Sequence, residues 1–182
     1  RRALAHLVLG ECLTAAGRYV DDIADLVWTI CEESSWVVPA HNRQRIDPNA
    51  PEDQHDVLPN VEQPYIDLFS AETGGLLAWV DYLVRDALDQ VSPLLHRRIV
   101  LEVRRRVVEP YLRHDDFWWM GFKPSRRHTV NNWNPWCNSN CLSCILLVAP
   151  DEATRVAGVA KVVRSLDRFL AGYHPDGGCD EG

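Results

Sequence analysis

The sequence predicts an all-α fold built from antiparallel helical hairpins, and three observations predict it. Apolar residues recur at helical spacing in block after block. Proline, glycine and capping residues separate those blocks. No run longer than four residues alternates apolar with polar as a strand would, and no Asn-Gly or Asp-Gly joins two β-like runs. With 182 residues, 46% of them apolar and 25% charged, the chain has the composition of a globular domain and the length for one core. Residues 1–182 therefore read as part of a single helical domain.

The elements follow in order. A strongly apolar run from about Ala3 to Ala16 is closed by Gly17, a good C-terminal stop. Asp21 caps a second helix, whose Ile23, Leu26, Val27, Ile30 and Cys31 form one stripe. Glu32 to Pro64 is a long irregular segment with Pro39, Pro48, Pro51, Pro59 and Pro64, the kind of loop that usually carries function or lacks order. A third helix spans about Tyr65 to Asp89. Ser92-Pro93 opens a fourth, on which Leu95, Ile99, Val103 and Val107 repeat every four residues until Pro110 limits it. An aromatic loop (Phe117, Trp118, Trp119) leads to a fifth helix from about Pro135 to Val148. Asp151 starts a sixth, with Val156, Val159, Val163, Leu166 and Leu170 as its expected buried face and Gly172 as its end. Six helices in sequence, joined as antiparallel neighbours, imply hairpins stacked side by side.

Charge and hydropathy narrow the partners. The formal net charge is -7, which argues against a grip on nucleic acid phosphates, and no stretch approaches the ~20 apolar residues that span a bilayer. The run Arg104-Arg105-Arg106 reads as a solvated helix face rather than a polyanion groove. Cys12 and Cys31 fall on apolar stripes as small hydrophobes, and a disulfide framework does not suit so helical a chain. The absence of an initiator Met, and an end at Asp180-Glu181-Gly182 within a loop, read as cuts in a longer protein, so localisation stays open.

Two segments are richer in polar and aromatic residues than packing requires. The first is Glu32-Glu33-Ser34-Ser35-Trp36-Val37-Val38-Pro39-Ala40-His41-Asn42, where the second helix ends. The second is Asn131-Asn132-Trp133-Asn134-Pro135-Trp136-Cys137-Asn138-Ser139-Asn140, with five Asn and two Trp in ten residues. Amides donate and accept without charge, and indoles offer flat apolar faces, a pairing suited to sugar rings. The structural alternative for the same residues is that Asn caps a helix and Trp fills a core. A third segment, Tyr173-His174-Pro175-Asp176-Gly177-Gly178-Cys179-Asp180-Glu181-Gly182, has turn chemistry. Its carboxylates are either catalytic or turn formers.

In this order, Glu-Ser-Ser-Trp-x-x-Pro-Ala-His-Asn, Asn-Asn-Trp-Asn-Pro-Trp-Cys-Asn and Tyr-x-Pro-Asp-Gly-Gly-x-x-Glu-Gly resemble the heparinase II/III family of polysaccharide lyases over nearly the whole chain. The resemblance implies an (α/α) toroid, incomplete in this chain, followed in the family by a β-sandwich absent here. It also implies β-elimination at a uronic acid. A base removes the C5 proton, and the glycosidic oxygen at C4 leaves. Charge builds on the uronate carboxylate, so the site must supply preorganised donors there.

The family's carboxylate-neutralising Asn matches Asn132, with Asn131 as its neighbour. Trp133 stands where many members place a His. The resemblance puts the family's acid/base Tyr just beyond residue 182, so this stretch alone is expected to be inactive, with an apolar edge that drives self-association. His41 is a candidate donor or base. The candidate substrate-binding residues are Trp36, Asn42, Glu72, Trp133, Asn134, Trp136, Asn138, Tyr173, Asp176 and Glu181. The expected partner is an acidic polysaccharide or oligosaccharide, with no nucleic acid, membrane, metal or cofactor.

Other readings stay open. Cys137-x3-Cys141-x2-Cys144 has the spacing of the iron–sulfur motif of radical S-adenosylmethionine enzymes. However, positions i, i+4 and i+7 share one helix face, which favours buried small residues. Zinc lacks a fourth ligand at convincing spacing. Asp176 and Glu181 could be the paired carboxylates of a glycoside hydrolase on a similar toroid. A carbohydrate-binding module without catalysis is the third possibility.

Overall fold

The computed structural model describes residues 1–42, 58–123 and 129–178, and among these it contains six helices and no strand. They are α1 (Arg2–Thr14), α2 (Val20–Glu32), α3 (Leu68–Val91), α4, α5 (Trp133–Val148) and α6 (Glu152–Ala171). Helix α4 opens as Pro93–Val103, widens into a π-helical turn over Arg104–Val108 and closes as Glu109–Arg113. Single 3-10 turns lie at Pro39–His41 and Trp118–Met120. No described helix is long and apolar enough to cross a membrane. Of the long segment from Glu32 to Pro64, residues 43–57, with Pro48 and Pro51, lie outside the described residues.

Two expected caps are present. The Ser92 hydroxyl accepts from Leu94 N–H, and the Asp151 carboxylate accepts from Thr154 N–H. The α1–α2 turn is made differently from the sequence reading. Helix α1 ends at Thr14, and Asp21 lies inside the first turn of α2 rather than at its cap. Buried Glu11 instead reaches forward and accepts from Gly17 N–H (2.7 Å) and Tyr19 N–H (3.1 Å). Helix α4 also passes the expected stop at Pro110. Proline has no N–H to give, and the wider turn just before it lets the chain carry the ring without ending the helix.

The helices form two layers. Helices α1, α3 and α5 lie side by side in one, and α2, α4 and α6 form the other, with each odd helix packed on the even helix that follows it. Helix α3 makes the closest pairing, with α5, because it presents Ala71, Gly74, Gly75 and Ala78. A Cβ on Gly74 would stand 2.7 Å from Val107 Cγ2 and 3.1 Å from Cys144 Sγ, so the absence of a side chain is what admits both neighbours. The stripe Leu95, Ile99, Val103 and Val107 is buried as expected, as are Ile23, Val27, Ile30 and Cys31.

Three expectations about faces need correction. On α6 the packed face is Gly158, Lys161, Val162 and Ser165, whereas Val156, Val163 and Leu170 are more than half exposed. Gly158 lets Ile145 approach, and the Lys161 ammonium donates to the carbonyls of His114 (2.7 Å) and Leu112 (3.3 Å); these contacts turn the helix away from its apolar stripe. Cys12 is exposed rather than packed. Of the arginine run only Arg105 is exposed, and Arg106 is buried.

Candidate functional site

The site is assembled around Asp67, whose side chain is buried at the start of α3. One carboxylate oxygen accepts from Ser70 N–H (2.7 Å) while the Ser70 hydroxyl accepts from Asp67 N–H (2.9 Å), a reciprocal cap. The other oxygen meets Val38 N–H (3.4 Å) and His41 Nδ1 (2.9 Å), which ties the first polar segment to α3. A carboxylate only accepts, so Nδ1 donates, and in the neutral ring Nε2 carries the lone pair. The imidazole is thereby oriented.

The second polar segment arrives at the same place. The Trp133 ring lies edge-on to His41 with centroids 4.7 Å apart, Phe69 flanks His41 at 5.8 Å, and Trp118 packs on Trp133 at 5.1 Å. Trp133 begins α5, so Asn131 and Asn132 stand directly before it. The buried Asn131 carbonyl oxygen accepts from Trp133 N–H (3.0 Å), which makes Asn131 the side chain that caps the helix. Asn132 is partly exposed beside it. Of the predicted residues, His41 and Trp133 thus come into contact, with Asn131 and Asn132 directly before Trp133 in the chain, and Asn42, next to His41, is buried.

Other predicted residues take different positions. Asn134 and Asn138, one turn apart on α5, are completely buried. The Asn134 amide donates to the carbonyls of Trp119 (2.8 Å) and Ser165 (3.0 Å). The Asn138 amide donates to Asn134 Oδ1 (3.0 Å) and Ser165 Oγ (2.9 Å), and Asn138 Oδ1 accepts from the Tyr111 hydroxyl (2.6 Å). Their amides join α5, α6 and the Trp118–Met120 turn. Trp36 is buried too, with Nε1–H donating to the Ile30 carbonyl (3.0 Å) and the Arg106 guanidinium over its ring at 4.7 Å.

Glu72 and Trp136 are exposed. Glu72 shares a groove with Phe69 and Pro39, and lines a second with Trp79 and Asn140. Tyr173 and Asp176 lie in an exposed turn after α6. There the Tyr173 hydroxyl donates to the Gly177 carbonyl and Asp176 accepts from Gly178 N–H. Among the described residues neither stacks on nor hydrogen-bonds to His41, Asn132 or Trp133. Glu181 lies outside the described residues, as does Cys179.

Cys137, Cys141 and Cys144 share one buried helix face, and burial pushes all three thiols up, which holds them protonated. Among the described residues no group of three or more His, Cys, Asp or Glu converges as a metal cage.

Asp67 and Phe69 were not singled out in the sequence, although Asp67-x-x-Ser70 ahead of an apolar run is a capping signal that points to the start of α3. Compared with protein-family models and with curated proteins, the chain matches none.

Proposed function

We propose that the chain belongs to an (α/α) toroid of a lyase that cleaves uronate-containing polysaccharides by β-elimination. The observation that carries this reading is the meeting of an oriented imidazole, His41, with Trp133, the residue that directly follows Asn132. In this reading the Asn132 amide donates to the uronate carboxylate and stabilises the charge that develops there when C5 loses its proton. The electrons of the C5–H bond form the C4–C5 double bond, the C4–oxygen bond breaks, and the leaving oxygen takes a proton. His41 Nε2 serves as donor or base. The resemblance places the remaining acid/base, a tyrosine, after the third motif and beyond residue 182, so activity belongs to the full-length protein.

The two-layer alternation of helices and the exposed stripe of Val156, Val163 and Leu170 support a helical ring that continues past α6. A second reading, a carbohydrate-binding module without turnover, is favoured by the half-exposed rings of Phe69, Trp79 and Trp136. Ultraviolet absorbance of the products separates the two, because only elimination creates a conjugated double bond.

A further inference from the structure

The arginine run on α4 has a use that the proposed chemistry leaves aside. Arg106 is 6% exposed, and two of its three guanidinium nitrogens are taken. Nε donates to Glu102 Oε2 (2.6 Å), and Nη2 donates to the Glu33 carbonyl (2.6 Å). Nη1 is buried with no partner among the described residues. An unmade hydrogen bond on a buried charged group is costly and calls for an explanation.

Arg106 is in the wall of a cavity of about 30 Å³ behind the Ser34–Trp36 loop. That is room for roughly two water-sized groups. Among the described residues no Asp or Glu lines this cavity; its polar walls come from Ser34, Ser35, Asn42, Asn60, Arg105 and Arg106, with Ser70 and Tyr65 behind. The groups left over are donors. Asn60 Oδ1 already accepts from Glu62 N–H (3.0 Å) and Gln63 N–H (3.2 Å), so its NH2 remains. Ser35 Oγ accepts from Val37 N–H (3.1 Å), so its O–H remains.

The charge balance has the same sign. The buried Glu102 carboxylate is shared by Arg98, Arg105 and Arg106, and among the described residues only Arg98 has a further carboxylate partner, Glu32. Positive charge is left at the wall formed by Arg105 and Arg106. Both arginines lie in the π-helical turn, a distortion that concentrates at functional sites.

We propose that this cavity binds a carboxylate group, with Arg106 Nη1, Arg105, the Ser35 hydroxyl and the Asn60 amide as its donors. Two oxygens fit the space, and guanidinium groups are the donors best matched to a carboxylate. Its donors are other residues than the His41–Trp133 pair, and the proposal does not rest on the lyase reading. The carboxylate comes either from a free small acid or from a uronate unit of a sugar chain.

Calorimetric titration of the full-length protein with sodium acetate, at ionic strength held constant with chloride, tests this. Saturable acetate binding in the millimolar range is expected, with about tenfold weakening in Arg105→Gln and in Asn60→Asp. Asn60→Asp keeps the acceptor for Glu62 and Gln63 and puts a negative charge at the cavity, so its melting temperature should stay at the wild-type value. It decides the matter if Arg105→Gln disturbs the fold. Acetate that competes with a uronate oligosaccharide assigns the site to the sugar chain; acetate that binds without competing assigns it to a free acid. Heats that never saturate, or Asn60→Asp binding acetate as tightly as wild type, would overturn the proposal and leave a pair of waters as the occupant.

Discussion

His41 and Trp133 are 92 residues apart in sequence, and their rings meet edge to face at 4.7 Å. Each belongs to a different polar segment, and each is held from behind. Asp67 grips the imidazole, and Trp118 packs on the indole. The contact therefore depends on three elements at once: the Pro39–His41 turn, the cap of α3 and the first turn of α5.

Asp67 carries both fold and orientation, and an amide separates the two. Asn is itself a good N-cap, so Asp67→Asn should keep the α3 cap and shift the urea midpoint little. It removes the charge that holds the imidazole tautomer, and under the proposed lyase chemistry turnover should fall on the order of a hundredfold. A variant with wild-type turnover would remove His41 from the mechanism.

Asn138 is a structural amide here. Asn138→Ala leaves the Tyr111 hydroxyl and the Asn134 carbonyl oxygen without their buried partner, and should cost about 2–4 kcal/mol in urea unfolding. A loss below about 0.5 kcal/mol would mean that water replaces the network.

Gly158 tests the packing of α6. An alanine gains about 1 kcal/mol of helix propensity, yet its Cβ would stand 2.7 Å from Ile145 Cγ2 and 2.9 Å from Cδ1. Overpacking of this kind should win, giving a net loss of about 1–2 kcal/mol by denaturant midpoint. A stabilised Gly158→Ala would show that α6 has room to shift.

Alkaline pH should weaken the fold. Burial, with Glu102 as the next cause, pushes the Cys31 thiol from 9.0 up to about 12, and burial raises Cys137, Cys141 and Cys144 as well. Unfolding frees these thiols to ionise near their ordinary value, so above it the unfolded chain releases protons that the folded chain keeps. Their contribution is fully present below about pH 9 and is lost as pH rises toward 12. A urea midpoint lower at about pH 10 than at about pH 7.5 is expected, with Cys12 reacting with a thiol reagent well before the four buried cysteines. Equal midpoints, or early reaction of the buried thiols, would contradict that burial.

The sequence was legible where one physical cause acts. Leu95, Ile99, Val103 and Val107 are apolar at a four-residue repeat and buried, and Ser92 and Asp151 are caps by their own chemistry. It was misleading where two causes compete. The stripe through Val156, Val163 and Leu170 is genuine, but periodicity does not say which face packs. Gly158, Lys161 and Ser165 decide that through tight contact and hydrogen bonds. The asparagines divide in the same way. Composition marked the segment from 131 to 140 as unusual, yet Asn131 caps a helix and Asn134 and Asn138 tie the core, while Asn132, directly before Trp133, and Asn140 stand partly exposed. Pairing across distant segments, such as Arg106 with Glu33, has no local signature at all.

Ultraviolet absorbance of full-length protein incubated with uronate-containing polysaccharides tests elimination most directly. The proposed chemistry predicts a rise in absorbance that disappears in Asn132→Ala while the melting temperature stays at the wild-type value. Reducing ends released without that absorbance, or an Asn132→Ala variant that keeps the wild-type rate, would contradict it.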